Sequence, residues 1–152
     1  IGLSLAMNAD IRIAAPSARF HPGYARVATS PDGGLTWTLT RAVGYERAMR
    51  FLFEQRMLSA SEGFALGLVS EVTDSDEGFE ARILEYGGML ASVAPIAARQ
   101  TKRMLVQIDQ PTDLGAHLDR EIELALHGLA SRDSAEAIRA MYAKERPEFT
   151  GE

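Results

Sequence analysis

The sequence contains no cysteine, and this absence excludes disulfide bonds, thiolate metal sites and a cysteine nucleophile. Histidine is also scarce, because the 152 residues include only His21, His117 and His127. Their scattered positions lack the spacing of metal ligands. We therefore expect no bound metal.

No stretch of the chain has the length and apolarity of a membrane span, and no secretory signal is visible. Basic residues are few and dispersed: 16 Lys and Arg stand against 21 Asp and Glu, which gives a net charge of −5. A nucleic-acid surface needs a dense basic cluster, and the sequence has none. We expect a cytoplasmic protein that binds neither membranes nor nucleic acid.

The remaining composition is that of an ordinary globular protein with a sizeable core, 46% apolar and 24% charged. Residues 1–75 alternate short strands and helices. Strands are predicted at Ile11–Ala14, Ala18–Phe20 and Leu68–Val72, and helices at Gly2–Ala9, Thr36–Val43 and Tyr45–Phe53. Ser59 and Glu62 have capping-box spacing, which predicts another helix that runs to Leu66 and ends at Gly67.

Residues 76–152 carry only helical patterns. Apolar residues at helical spacing predict helices over 79–93, 96–108, 114–129 and 133–144, with a break at Pro111 and Thr112. Asp133 and Glu136 have the spacing of a second capping box. The amphipathic faces of these helices suit either core packing or a subunit interface. We therefore predict two regions, a mixed α/β core at 1–75 and a helical region at 76–152.

The segment Ala28–Trp37, ATSPDGGLTW, is the main candidate for a functional turn. Pro31 fixes its own φ angle, and the two glycines after Asp32 permit backbone conformations closed to other residues. A carboxylate on a tight turn before a helix suits acid–base chemistry. Asp is also a favoured turn residue and helix N-cap, so the residues alone leave both interpretations of Asp32 open.

Several ordered motifs together resemble the crotonase (enoyl-CoA hydratase/isomerase) superfamily over essentially the whole chain: LSLAMNADIRIAAPSARF, PDGGLTW, RAVGYERAM, LSASEGFALGLVSEV and KERPEF. The resemblance implies an α/β fold, a partial crotonase-like spiral of ββα units at 1–75 followed by a helical trimerisation region at 76–152. It implies an acyl-CoA thioester substrate, coenzyme A being part of that substrate, and a homotrimer or dimer of trimers. The chain begins abruptly at Ile1, and the N-terminal portion of the family has no counterpart here, so we expect a preceding segment.

The resemblance also implies roles for individual residues. The backbone N–H of Ile1 corresponds to one of two donors that hold the thioester oxygen, and Gly2 opens the helix behind it. The two glutamates of the hydratases fall on Ser4 and Tyr24, which argues against hydration, since adding water usually needs two acid–base groups. A third position that can hold a catalytic carboxylate falls on Asp32, and the motif resembles the 1,2-epoxyphenylacetyl-CoA isomerase-like members.

Other residues are weaker candidates for the site. Tyr24 lines the acyl pocket or is a packed aromatic residue, and His21 lies near the pocket mouth or is a solvated loop histidine. Trp37 is expected to pack under the turn. Lys144, Arg146 and Phe149 match a tail that in relatives helps hold the CoA phosphates and adenine, although a solvated charged tail fits the residues as well.

The favoured function is an acyl-CoA isomerase in which an oxyanion hole stabilises a thioester enolate and Asp32 shuttles a proton. The alternatives are an enoyl-CoA hydratase, a hydrolase or dehalogenase with Asp32 as nucleophile and His21 as the only base at hand, and a non-catalytic acyl-CoA-binding protein.

Overall fold

A computed structural model describes residues 1–108 and 113–152. The chain divides into two compact units, Ile1–Glu85 and Tyr86–Glu152, which are described separately below. Within the described residues, no helix combines the length and apolar character needed to cross a membrane. The sequence analysis assigned a spiral core to residues 1–75 and an assembly region to residues 76–152, and these assignments stay predictions.

The strands of the first unit are each two residues long. β1 (Ile13–Ala14) pairs in parallel with β4 (Glu71–Val72), and β2 (Arg19–Phe20) pairs antiparallel with β3 (Leu58–Ser59). Three strands lie within predicted segments but are shorter, whereas β3 was not predicted. Arg12 lies just before β1, and its guanidinium donates to the Leu68 carbonyl at 2.6 Å and to the Ala9 carbonyl at 2.7 Å.

Four α-helices and one 3-10 helix lie wholly within the first unit. They are α1 (Gly2–Met7), the 3-10 helix Gly23–Val27, α2 (Leu35–Val43), α3 (Tyr45–Glu54) and α4 (Ala60–Leu66). The four predicted α-helices are confirmed with small shifts at their ends, whereas the 3-10 helix was not predicted. The core forms where the apolar face of α2 meets α1 and α3, through buried Met7, Leu35, Leu39, Val43 and Phe51.

The capping box that begins α4 is confirmed. The Ser59 hydroxyl accepts from the Glu62 backbone N–H at 3.3 Å, and the Ser59 N–H donates to the Glu62 carboxylate at 2.8 Å. Gly67 ends the helix in the left-handed conformation, as its position predicts. The sequence pattern therefore locates both ends of α4.

The second unit consists of helices. α5 (Phe79–Ala91) begins in the first unit, and α6 (Pro95–Gln107), α7 (Leu114–Leu129) and α8 (Arg132–Ala143) follow. The prediction of at least three helices and no sheet after residue 76 is confirmed over the residues that the structure describes. The helix predicted to Val93 ends earlier, and the predicted break at Pro111 and Thr112 lies outside the described residues.

The second predicted capping box is wrong, because α8 begins two residues earlier. Ser131 is the N-cap, and its hydroxyl accepts from the Ser134 N–H at 3.1 Å. Asp133 instead lies buried in the first turn and accepts from the backbone N–H groups of Thr150 at 2.7 Å and Gly151 at 2.9 Å. Its carboxylate therefore holds the C-terminal tail against α8.

The periodic apolar residues of α7 are exposed in the single chain. Leu114, Leu118, Ile122 and Leu129 are between 47% and 71% accessible to solvent. Only Leu124 of this helix is buried. Exposure of this kind is typical of a surface that another protein covers.

Candidate active site

The Asp32 turn is built on two glycines with positive φ angles, +57° at Gly33 and +79° at Gly34. This left-handed backbone is closed to most side chains, and it turns the chain sharply into α2. The N-cap of α2 is Gly34, and no side chain caps the helix. Asp32 is therefore not a helix cap in this structure, and its carboxylate is used in a different contact.

That contact is a chain of three oxygen-bearing side chains. The Tyr24 hydroxyl donates to Asp32 Oδ1 at 2.8 Å, and the same hydroxyl lies 2.7 Å from Ser4 Oγ. The three residues come from α1, the 3-10 helix and the turn before α2. The fold thus brings together the three sequence positions at which the resemblance predicted acid–base groups.

Close backbone approach holds the turn against α1. A Cβ atom added to Gly33 would lie 3.0 Å from Ser4 Cβ and 3.2 Å from Ile1 Cδ1, closer than ordinary packing allows. The Asn8 side-chain amide donates to the Ser4 carbonyl at 2.7 Å and to the Gly33 carbonyl at 2.9 Å. Asn8 was missed from the sequence, because a lone Asn at a helix end carries no signal for its partners.

Solvent exposure increases from Ser4 through Tyr24 to Asp32. Ser4 is fully buried, whereas the Tyr24 ring is partly buried and packs against the core of the first unit. Asp32 is exposed at the end of the chain. Within the described residues its Oδ2 atom makes no hydrogen bond, so one carboxylate oxygen is held and the other is not.

The residues at the chain start lie beside this group. Ile1 is 69% exposed, is the N-cap of α1, and accepts from the Leu5 N–H through its carbonyl at 2.9 Å. A Cβ added to Gly2 would meet nothing within 4 Å, so crowding among the described residues does not require glycine there. The roles of the Ile1 N–H as an oxyanion donor and of Gly2 in substrate binding stay predictions.

His21 is not a solvated loop histidine. Its Nε2 atom is buried and has no hydrogen-bond partner in the part of the chain that the structure describes. Its ring lies over the backbone of Gly23, where an added Cβ would be 3.2 Å from Nδ1. The expectation that Trp37 packs under the turn is also wrong: its side chain is 68% exposed, and the Arg41 guanidinium lies 5.4 Å from its ring centroid.

The predicted CoA-binding tail belongs to the second unit. Lys144 ends α8 with a φ angle of +57° and is exposed, and Phe149 is half-buried. Asp133 fixes the chain beyond them, as described above. The sequence analysis singled out Asp133, but as a helix cap and not as the residue that binds the C-terminal tail. CoA binding by Lys144, Arg146 and Phe149 stays a prediction.

Strongly shifted carboxylates lie in exposed ion pairs outside the Asp32 group. The Arg56 guanidinium and hydrogen bonds from Ser59 lower the pKa of Glu62 to about 2, and the Arg139 guanidinium chiefly lowers the pKa of Glu136 to about 2. Glu62 belongs to the capping box of α4, and Glu136 and Arg139 form an i,i+3 pair within α8. No cluster of three or more potential metal ligands occurs in residues 1–108 and 113–152.

Comparison with known proteins identifies the family of the chain. Residues 1–152 match the family described as Enoyl-CoA hydratase/isomerase. The mitochondrial methylglutaconyl-CoA hydratase of Mus musculus is 31% identical over 154 residues, which cover 99% of this chain and 49% of that protein. The 1,2-epoxyphenylacetyl-CoA isomerase of Escherichia coli is 32% identical over 150 residues, which cover 99% of this chain and 56% of that protein.

A solved structure gives the same result at the level of the fold. The enoyl-CoA hydratase from Bacillus anthracis superposes with a TM-score of 0.89 at 30% identity, covering 99% of this chain and 58% of that chain. The chain spans about half the length of the curated relatives it matches. The predicted fold class, an α/β, partial crotonase-like spiral followed by a helical region, is confirmed. Because the family match extends over every residue, the chain belongs to the enoyl-CoA hydratase/isomerase family, part of the crotonase superfamily.

Proposed function

We propose that the protein is an acyl-CoA isomerase in which Asp32 moves a proton between two carbons of the acyl group. One observation carries this proposal: Asp32 is the single carboxylate in the Ser4, Tyr24 and Asp32 group, and it keeps one free oxygen. A single base that accepts a proton and returns it is sufficient for isomerisation.

The reaction balances without water. Donors at the thioester oxygen, for which the Ile1 N–H is the candidate, stabilise the enolate that forms as Asp32 Oδ2 takes a proton from carbon. The C–H bond breaks and an O–H bond forms. The proton then returns to a different carbon as the double bond shifts, a new C–H bond forms, and Asp32 is again a carboxylate.

Hydration is the second candidate, because relatives such as the Mus musculus protein are named hydratases. Addition of water needs one group to activate the water and another to manage the α-proton, and Ser4 and Tyr24 are not carboxylates. A hydrolase or dehalogenase with Asp32 as nucleophile needs a base for water. His21, the candidate base, makes no hydrogen bond to Asp32 within the described residues.

The substrate is proposed to be an acyl-CoA thioester, as in fatty acid metabolism or phenylacetate degradation, with Tyr24 and His21 near the acyl chain. Lys144 and Phe149 are proposed to contact the CoA portion, and the location is proposed to be cytoplasmic. A non-catalytic acyl-CoA-binding role is the remaining alternative, and it predicts binding without turnover of any unsaturated acyl-CoA.

Asp32→Asn tests the proposal, since it preserves the side-chain shape and removes the base. We expect kcat for isomerisation to fall by about 10²–10⁴-fold, with CoA-ester binding nearly unchanged. The assay measures double-bond and ring isomerisation over a small acyl-CoA panel beside hydration of crotonyl-CoA. Parental turnover by the variant, efficient hydration by the parent, or a trapped acyl-aspartate would each contradict the isomerase.

Assembly as a homotrimer or dimer of trimers is part of the same proposal. The exposed apolar residues of α7 support it, because a solvated helix rarely displays four large aliphatic side chains on one face. Sedimentation of the intact protein at micromolar concentration should therefore give a mass of at least three chains. A monomer under these conditions would contradict the proposed assembly.

A further inference from the structure

We infer that Tyr24 and Ser4 are positioning residues for Asp32, forming a hydroxyl chain that holds one carboxylate oxygen and leaves the other facing the substrate. The inference rests on the proposed function, because it gives Asp32 the role of the base. Tyr24 then holds the Asp32 carboxylate and is more than a part of the pocket wall. The buried Ser4 orients the Tyr24 hydroxyl.

Hydrogen-bond chemistry fixes the direction of the chain. An ionised carboxylate can only accept, and the Tyr24 hydroxyl has a single proton, so Tyr24 donates to Asp32 Oδ1 at 2.8 Å. Ser4 Oγ lies 2.7 Å from the same Tyr24 oxygen. Since the Tyr24 proton is already committed, Ser4 donates and Tyr24 accepts. The Ser4 hydroxyl therefore orients the Tyr24 proton toward Asp32.

The anchored oxygen determines where the transferred proton resides. With Oδ1 occupied by Tyr24, the proton taken from carbon arrives on Oδ2. The acid form still accepts the Tyr24 hydrogen bond on Oδ1, so the carboxyl group stays in place in both protonation states. The proton is returned from the oxygen that received it. A carboxyl group free to rotate would turn that proton away from the second carbon.

Burial excludes a direct chemical role for Ser4. Its side chain is fully inaccessible, and the Gly33 backbone lies directly over it. A substrate atom cannot reach Ser4 Oγ, so the residue influences the reaction only through Tyr24. The Tyr24 ring is itself fixed by packing against the apolar core of the first unit. The Asp32 carboxylate is thus connected through Tyr24 to the packed core of its unit.

A double-mutant cycle in the intact protein tests the chain. Tyr24→Phe and Ser4→Ala each remove one oxygen atom and leave the packing shape nearly unchanged. We expect Tyr24→Phe to lower kcat by about 10–100-fold, the loss typical of a hydrogen bond to a charged group, with KM changed less than about threefold. Ser4→Ala should lower kcat by about 3–10-fold.

Coupling between the two variants is the decisive readout. In the Tyr24→Phe background, Ser4→Ala should change kcat by less than about twofold, because Ser4 then has no route to Asp32. Tyr45→Phe, at an exposed tyrosine on α3, is the matched control and should leave kcat and KM at parental values. Either single variant remains informative if the other fails to fold.

The possible results separate the inference from the function it rests on. If Tyr24→Phe raises KM and leaves kcat unchanged, Tyr24 is only a pocket wall. If the reductions in kcat of Tyr24→Phe and Ser4→Ala multiply in the double variant, Ser4 acts by packing. Either result overturns the inferred hydroxyl chain. If Asp32→Asn abolishes isomerisation while Tyr24→Phe has parental kcat, only this inference fails. If Asp32→Asn isomerises normally, the proposed function itself fails.

Discussion

Replacing Gly33 by alanine tests whether the close approach of the turn to α1 determines the site. Gly33 has a φ angle of +57°, and an added Cβ would lie 3.0 Å from Ser4 Cβ and 3.2 Å from Ile1 Cδ1. Gly34, the next residue, has a φ angle of +79°, and its added Cβ would meet only Asn8 Oδ1 at 3.8 Å. Gly34→Ala is therefore a matched control that carries backbone strain without the collision.

The expected magnitudes follow from these two geometries. A left-handed alanine costs about 1–2 kcal/mol at either position. Crowding of a packed site typically costs about a further 1–3 kcal/mol, and only Gly33 incurs it. The reduced entropy of the unfolded chain is common to both variants and cancels in the comparison. Gly33→Ala should therefore be about 1–3 kcal/mol less stable than Gly34→Ala.

The activity should separate in the same direction. Relief of the collision moves the turn away from Ser4 by a few tenths of an ångström. The loss in kcat should therefore be smaller than the roughly 100-fold that a displacement of about 1 Å can cause. Urea denaturation gives the stability of each variant, and isomerisation kinetics give kcat. Equal stability and equal kcat for the two alanine variants would refute the idea that this contact positions Asp32.

Two further predictions concern the second unit and the α4 cap. Asp133→Asn keeps one oxygen acceptor for the Thr150 and Gly151 N–H groups and turns an NH2 group toward one of them. The free energy of unfolding should therefore fall by about 1–3 kcal/mol, and trypsin should cleave faster after Lys144. Parental stability and parental cleavage would contradict the role of Asp133 in holding the C-terminal tail. The pKa of Glu62 lies at about 2, below its usual 4.5, so its carboxylate stabilises the fold above pH 4.5 and this contribution is lost as the pH falls toward 2. The difference in urea midpoint between the parent and Glu62→Gln should therefore shrink from pH 7 to about pH 3, and a difference independent of pH would contradict the assignment.

Local patterns predicted the helices well because the signals for their ends are local. Ser59, Glu62 and Gly67 determine the ends of α4 through contacts within one helical turn. The start of α8 was misplaced because the Asp133 and Glu136 spacing fits a capping box, whereas Ser131, two residues earlier, is the N-cap. The partners of Asp133 are 17 and 18 residues distant, and no pattern in the first turn of α8 contains them.

The candidate site was only partly predictable for the same reason. The turn chemistry of the PDGG segment and the family resemblance pointed to Asp32, and the resemblance marked Ser4 and Tyr24 as positions of replaced carboxylates. The direct contact between Ser4 and Tyr24 joins α1 to the 3-10 helix, and the two residues are 20 positions apart in the sequence. Periodicity cannot specify which hydroxyl faces which carboxylate across such a distance.

A crystal structure of the intact protein with a bound, unreactive acyl-CoA tests the central claim most directly. We predict that Asp32 Oδ2 lies about 3–3.5 Å from an acyl carbon next to the thioester, a distance suited to proton transfer, while Tyr24 still holds Oδ1. We also predict that the thioester oxygen lies beside the backbone N–H of Ile1. An acyl chain bound with the Asp32 carboxylate more than about twice that distance from every acyl carbon would contradict the role of Asp32 as the base.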